Sequence, residues 1–224
     1  MPIRALIFDF DGLILDTETP EYEAWTEIYA AFGCELPLSL WIDSIGRGQE
    51  QITFDPYEYL SRVSGIAVDR EVIRTRRRKL FHERILAEPL RPGVLAYLTH
   101  ARARNLRIAV ASSSDRAWVE GHLERLGILP IFDLTRCSDD VTRTKPDPEL
   151  YQSALDGLGV VAGEAVAFED SPNGVQAARA AGIYAVAVPN ALTAMLDLSH
   201  ASHRIASMSE LPLRNLLELP GGIS

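Results

Sequence analysis

The chain carries two aspartates one residue apart, Asp9 and Asp11, with Gly12 directly behind them. Paired carboxylates can divide labour. One can attack a phosphate ester as a nucleophile and form an aspartyl-phosphate. The other can protonate the leaving alcohol and then activate water. A phosphate monoester dianion repels an anionic nucleophile, so this chemistry also needs positive charge and hydrogen-bond donors. Ser112, Ser113 and Ser114 supply hydroxyls, Lys145 stands before Pro146, and Glu169 and Asp170 form a second acidic pair. Magnesium prefers oxygen ligands and keeps several waters, so two carboxylates and a carbonyl suffice to hold it. Hydroxyls and free loop amides can hold the transferring oxygens.

Taken singly, each piece is ordinary. Chance supplies about one Asp-x-Asp in a chain of 224 residues. Ser112 alone fits the end of a strand, Lys145 a solvated loop, and Glu169-Asp170 the acids that favour a helix start. Their positions distinguish them. Short apolar runs cover Ala5 to Phe8, Ile108 to Ala111, Ala165 to Phe168 and Tyr184 to Val188. Runs of this length suit strands buried on both faces of a parallel sheet. The two aspartates follow the first run, the serines the second and Glu169-Asp170 the third. Lys145-Pro146 precedes a helix that Asp147 can cap and Pro148 can begin. Ser171 can cap another helix that starts at Pro172 and stops at Gly182, and Ser114 or Asp115 opens a third that stops near Gly127. Strands alternating with helices predict an α/β fold, a doubly wound and mainly parallel Rossmann-like sheet. In such sheets ligands bind beyond the carboxyl ends of the strands, so all four polar elements converge on one crevice.

Residues 16–88 read differently. They hold no comparable strand run, and Ala24, Trp25, Ile28, Tyr29 and Phe32 recur at helical spacing, as do Val72, Ile73, Leu80, Ile85 and Leu86. This predicts an inserted α-helical lobe over 16–88, with the α/β core in 1–15 and 89–224. The basic run Arg74 to Lys79 points in all directions on a helix, so it reads as a solvated face with at most one residue turned to an anionic substrate.

The motifs Asp9-Phe10-Asp11-Gly12-Leu13, Ser112, Lys145-Pro146-Asp147-Pro148 and Glu169-Asp170-Ser171-Pro172-Asn173-Gly174, in that order, resemble the haloacid dehalogenase-like hydrolase superfamily. The helical insertion over 16–88 resembles the inserted α-helical cap domain of its helical-cap subgroup, which includes β-phosphoglucomutase and phosphoglycolate and sugar-phosphate phosphatases. The resemblance implies Asp9 as nucleophile and Mg2+ ligand, and Asp11 as acid–base residue with its carbonyl on the metal. It implies Ser112, Ser113 and Lys145 as the phosphoryl-binding set, Asp170 as a metal ligand, and Glu169 as a further metal support. Ile45 to Gln49 resembles the cap's substrate loop, which makes Arg47 a candidate contact. The same stretch lacks the third glycine and the preceding strand of a dinucleotide loop.

Two departures stand out. Where β-phosphoglucomutase has a histidine in the early cap, this chain has Glu21, which favours hydrolysis over phosphosugar mutase activity. Many relatives have Asp where Glu149 stands, and a glutamate there can still stabilise the helix start. Asp11 and Asp170 argue against a metal-free 2-haloacid dehalogenase, and the complete acidic set argues against a non-catalytic binding module.

Bulk properties agree with a small-molecule enzyme. The net charge of −9 disfavours nucleic-acid and anionic-membrane partners. No apolar run approaches the roughly 20 residues of a membrane span, and the N-terminus is too short in apolar residues for a secretory signal. A cytoplasmic location follows as the expectation, with Cys34 and Cys137 as free thiols. The five histidines show no zinc-site spacing. The expected partner is a small phosphate ester. Oligomeric state is not legible in the sequence, and a monomer is compatible with it.

Overall fold

Strand β1 (Ala5–Phe8) is buried along its whole length and lies at the centre of the sheet in the computed structural model, which describes residues 2–45 and 54–218. Its alternate side chains serve two cores. Leu6 and Phe8 join one cluster and Ala5 and Ile7 the other. The period of two that sends neighbours to opposite faces is the ordinary strand period.

Four helices follow: α1 (Glu18–Ala31), α2 (Leu38–Ser44), α3 (Pro56–Ser64) and α4 (Arg70–Ile85). Trp25, Ile28, Tyr29, Trp41, Leu60 and Ile73 form a third buried cluster among them, joined by Leu192 from the far end of the chain. Val72 and Leu86, expected on the apolar face, are exposed instead. They neighbour Ile73 and Ile85, which take the buried positions, because adjacent residues on a helix lie about 100° apart.

The α/β alternation resumes with α5 (Val94–Ala103), β2 (Arg107–Ala111), α6 (Arg116–Arg125) and β3 (Leu134–Arg136). It continues with α7 (Glu149–Leu158), β4 (Ala165–Glu169), α8 (Pro172–Ala180), β5 (Tyr184–Ala187), β6 (His203–Arg204) and α9 (Leu213–Leu217). The strands form one six-stranded sheet in the order β3-β2-β1-β4-β5-β6, and every pairing is parallel. Side chains from α5, α6 and α9 pack on the face of Phe8 and Phe168, and those from α7 and α8 on the face of Ala5, Ile7 and Ala167. This is the expected doubly wound, Rossmann-like α/β fold. Strand order reverses between β1 and β4, which defines the switch-point crevice.

The anticipated strands stand where the apolar runs are. Strands β3 and β6 were not expected. Leu134–Arg136 is only half-buried and β6 has two residues, so neither leaves an apolar run. Helix α7 begins at Glu149, one residue after the expected Pro148, and Asp147 Oδ1 accepts from the Glu149 amide. The α8 and α6 starts hold: Ser171 Oγ accepts from Gly174 N, and Asp115 caps α6 by accepting from Trp118 N. Cys34 and Cys137 are free. Among the described residues no helix is long and apolar enough to cross a membrane.

The central packing can be tested at Phe168, which stacks on Phe8 with centroids 4.9 Å apart and meets Tyr97 edge-on at 5.5 Å. Phe168→Ala is expected to lower stability by about 3–5 kcal/mol in urea unfolding, and a loss below about 1 kcal/mol contradicts this placement.

Candidate active site

Asp9 is the first residue beyond β1, and its amide donates to the Phe168 carbonyl of β4 at 3.0 Å. The sheet itself therefore sets its backbone across the switch point. Lys145 reaches in from the loop before α7. Its Nζ lies 2.5 Å from Asp9 Oδ1 and 2.6 Å from Glu169 Oε1. The Tyr151 hydroxyl of α7 donates to the same Glu169 oxygen. Glu149 fastens the lysine loop, its two carboxylate oxygens accepting from Thr142 N at 2.8 Å and Arg143 N at 3.0 Å. Glu149 also opens α7, an acid in its first turn as the sequence reading has it, so it serves helix start and loop together.

Glu169 ends β4 and Asp170 is the first residue beyond it. A Cβ on Gly174 would fall 1.9 Å from Glu169 Oε2, and one on Gly12 would fall 2.2 Å from Asp170 Oδ2. Both glycines thus leave room for a carboxylate. Gly12 also has φ +76, a conformation glycine takes without a side-chain clash. Asn190, just after β5, donates to Asp170 Oδ2 at 2.9 Å. Arg91 ties the β1 loop to the β5 loop through Gly12 O at 2.6 Å, Val188 O at 3.1 Å and Pro189 O at 2.7 Å.

One oxygen from each of Asp9, Glu169 and Asp170 lies within 4.8 Å of the others, so these three can hold a metal ion. All three are buried. Burial pushes each toward protonation, and repulsion adds to it: Asp11 acts on Asp9, Asp9 on Glu169, and Asp9 and Glu169 on Asp170. Burial alone would lower Lys145, but Asp9 and Glu169 outweigh it and hold the ammonium charged. Three carboxylates then share one ammonium, which touches two of them, Asp9 and Glu169. Glu169 Oε2 is buried without a hydrogen-bond partner among the described residues. An all-oxygen donor set, surplus negative charge and an unused acceptor fit a hard divalent cation.

Asp11 stands apart from that cluster. Its Oδ2 accepts from Ser114 Oγ at 2.7 Å and Ser112 Oγ at 3.2 Å, and its Oδ1 accepts from Trp118 Nε1 at 2.8 Å. Ser112 is fully buried and its Oγ also accepts from Ser114 N, whereas Ser113 is exposed at the crevice. The crevice measures about 1310 Å³ and is lined by Asp9, Asp11, Ser112, Ser113, Lys145 and Asp170 among others. Helices α1 and α4 contribute Glu21 and Arg77 to its wall, paired at 3.0 Å, with Trp25 Nε1 donating to the other Glu21 oxygen at 3.1 Å. Arg77 is the one member of the basic run on this wall. Arg47 lies outside the described residues.

The sequence reading missed Tyr151, Arg91, Asn190, Ser114 as an Asp11 partner, and Trp118. Asn190 had a signal, since it follows the fourth apolar run. Ser114 had one too, since it follows the second run, whereas Tyr151, Arg91 and Trp118 sit within helices or loops whose pattern carries no chemical mark.

Lys145, Asp9, Asp11 and Asp170 meet in one switch-point crevice of an α/β fold, with Glu169 buried against the lysine. Residues 3–182 match the family model of haloacid dehalogenase-like hydrolases. The chain belongs to that family and is a phosphohydrolase. It is 47% identical over 216 residues to protein YhcW of Bacillus subtilis (strain 168), covering 96% of this chain and 97% of that one. It is 31% identical over 185 residues to the fructose-1-phosphate phosphatase YqaB of Escherichia coli (strain K12), covering 82% of this chain and 95% of that one. A Thermotoga maritima structure assigned as a β-phosphoglucomutase matches with a TM-score of 0.77 at 27% identity, over 97% of this chain and 100% of that one.

Glu18 of α1 offers a test of the crevice electrostatics. Desolvation raises it from 4.5 to about 7, aided by Asp11 and Asp16. The folded state therefore holds this proton more tightly than the unfolded chain, and stability falls as pH rises from about 4.5 through about 7. With a chelator present, Glu18→Gln is expected to match the parent's urea midpoint near about pH 4 and exceed it at about pH 8. A variant no more stable than the parent at the higher pH contradicts the raised value.

Proposed function

We propose that the chain hydrolyses the phosphate monoester of a small sugar phosphate or similar metabolite, using Mg2+ and an aspartyl-phosphate on Asp9. The observation that carries this reading is the Lys145 ammonium in contact with both Asp9 and Glu169 beside Asp170. Fructose 1-phosphate, named for YqaB, exemplifies the substrate class.

Asp9, Asp170 and the Asp11 carbonyl would hold Mg2+, with Glu169 behind them. When bound, the ion supplies positive charge that offsets the repulsion between phosphate and carboxylate. Lys145, Ser112 Oγ and the Ser113 amide hold the transferring phosphoryl oxygens. An Asp9 oxygen attacks phosphorus as the ester bond breaks. Asp11, protonated, gives its proton to the departing alkoxide. The resulting carboxylate then takes a proton from water as that water attacks phosphorus, which releases inorganic phosphate and restores Asp9. We infer that residues 16–88 act as the cap over this crevice, which would exclude bulk water, with Arg47 among its substrate contacts.

A phosphosugar mutase is the second reading, and likeness to the Thermotoga structure favours it. Glu21 weighs against it. Its carboxylate is engaged by Arg77 and Trp25, an anion where a mutase would carry an imidazole.

The test is phosphate release from a panel of sugar phosphates, phosphoglycolate and nucleotides with MgCl2. Release is expected to stop with EDTA and to fall on the order of a thousandfold or more in Asp9→Asn. Phosphate release undiminished in Asp9→Asn overturns the assignment. Conversion of a sugar 1-phosphate to its 6-phosphate isomer without free phosphate supports the mutase instead.

A further inference from the structure

We propose that Trp118 is a positioning residue that holds Asp11 in reserve and ties its release to helix α4. The inference rests on the acid–base role proposed for Asp11.

Both Asp11 oxygens are engaged, and the three donors differ in kind. Ser112 and Ser114 hydroxyls can turn and accept. An indole N–H can only donate. Trp118 therefore occupies Asp11 Oδ1 as an acceptor while their bond lasts. A hydrogen bond to a carboxylate is a strong one. To present a proton to a leaving oxygen from Oδ1, or to swing toward a bound phosphoryl group, Asp11 must let the indole go.

The indole is itself held by rings from two directions. Phe81 of α4 stacks on it with centroids 5.8 Å apart and planes 20° apart. His122 of α6 meets it edge-on at 4.2 Å. Arg125, one turn further along α6, donates to His122 Nδ1 and also to the carbonyls of Leu86 and Glu88, which link α4 to α5. Helix α6 thus touches the helical insertion at a ring stack and at its linker. A shift of α4 reaches Asp11 through Phe81, the indole and one hydrogen bond. Offset aromatic pairs favour particular geometries, so sliding Phe81 away removes the contact that fixes the indole on that side.

The chain has three tryptophans, so its indole 15N–1H spectrum holds three signals, and the one absent in Trp118→Phe belongs to Trp118. Saturating inorganic phosphate with MgCl2 is expected to move that signal in the direction that Asp11→Asn moves it without ligand. In Phe81→Leu the phosphate-induced movement is expected to shrink by about half or more, and in Phe81→Tyr, which keeps the ring, to persist. A Trp118 signal indifferent to saturating phosphate, or one that moves equally in parent and Phe81→Leu, overturns the proposal.

Kinetics provide the second readout, with p-nitrophenyl phosphate as probe. Phe81→Leu is expected to change kcat about threefold or more with KM within about twofold, and to change kcat less than about 1.5-fold in a Trp118→Phe background. Equal factors in both backgrounds overturn the coupling. If Phe81→Leu fails to fold, Phe81→Met takes its place in both experiments. Failure here is separable from failure of the hydrolase reading. Activity that survives Asp9→Asn defeats the latter, whereas a silent Trp118 in an enzyme that depends on Asp9 defeats only the former.

Discussion

The Lys145 ammonium, shared between Asp9 and Glu169, is the contact on which the site depends. Parallel-sheet topology brings Asp9, Glu169 and Asp170 to one crevice, where their charges repel one another. A buried carboxylate left uncompensated costs roughly 3–5 kcal/mol. One lysine compensates two of the three, and Arg91 acts on Asp170 from behind the Gly12 loop. The remaining surplus of negative charge and the unused Glu169 oxygen make the cluster receptive to a divalent cation. Stability and function are therefore opposed in this crevice. The same acids that strain the fold are those that the proposed phosphate-ester chemistry uses.

Much of the surrounding structure exists to keep that lysine and those acids in register. Glu149 grips two amides of the lysine loop, Tyr151 occupies one Glu169 oxygen, and Asn190 holds Asp170. Gly12 and Gly174 admit the carboxylates where any Cβ would collide with them. Asp11 has different hydrogen-bond partners, hydroxyls and an indole instead of a lysine, though its charge still acts on Asp9. The two aspartates meet different partners because β1 ends at Phe8 and the chain turns at Gly12.

This division explains what could be read from the sequence. The four long strands are apolar because both faces are covered, so their composition marks them, and the residues directly beyond them follow from topology alone. Asp9, Ser112 and Asp170 are legible in this way. Strands β3 and β6 are short edge-ward elements with half-exposed residues, and no apolar run marks them. Lys145 could be named from its motif, but its double contact could not, since that depends on a loop shape fixed by Glu149. Trp118 reads as an ordinary helix residue until Asp11 is found at its nitrogen. Arg91 precedes a Pro-Gly turn, and its three carbonyl partners come together only when the β1 and β5 loops do.

The central claim is that the carboxylate paired with Lys145 becomes the phosphoryl acceptor. It is tested most directly by acid-quenching the enzyme during turnover with MgCl2 and a hydrolysed ester, then locating any phosphoryl group by peptide mass spectrometry. The account predicts an acid-stable, hydroxylamine-labile phosphoryl group on the peptide containing Asp9, mapped to Asp9 and absent in Asp9→Asn. A phosphoryl group found on another residue, or robust turnover with an acceptor elsewhere after Asp9→Asn, would contradict it.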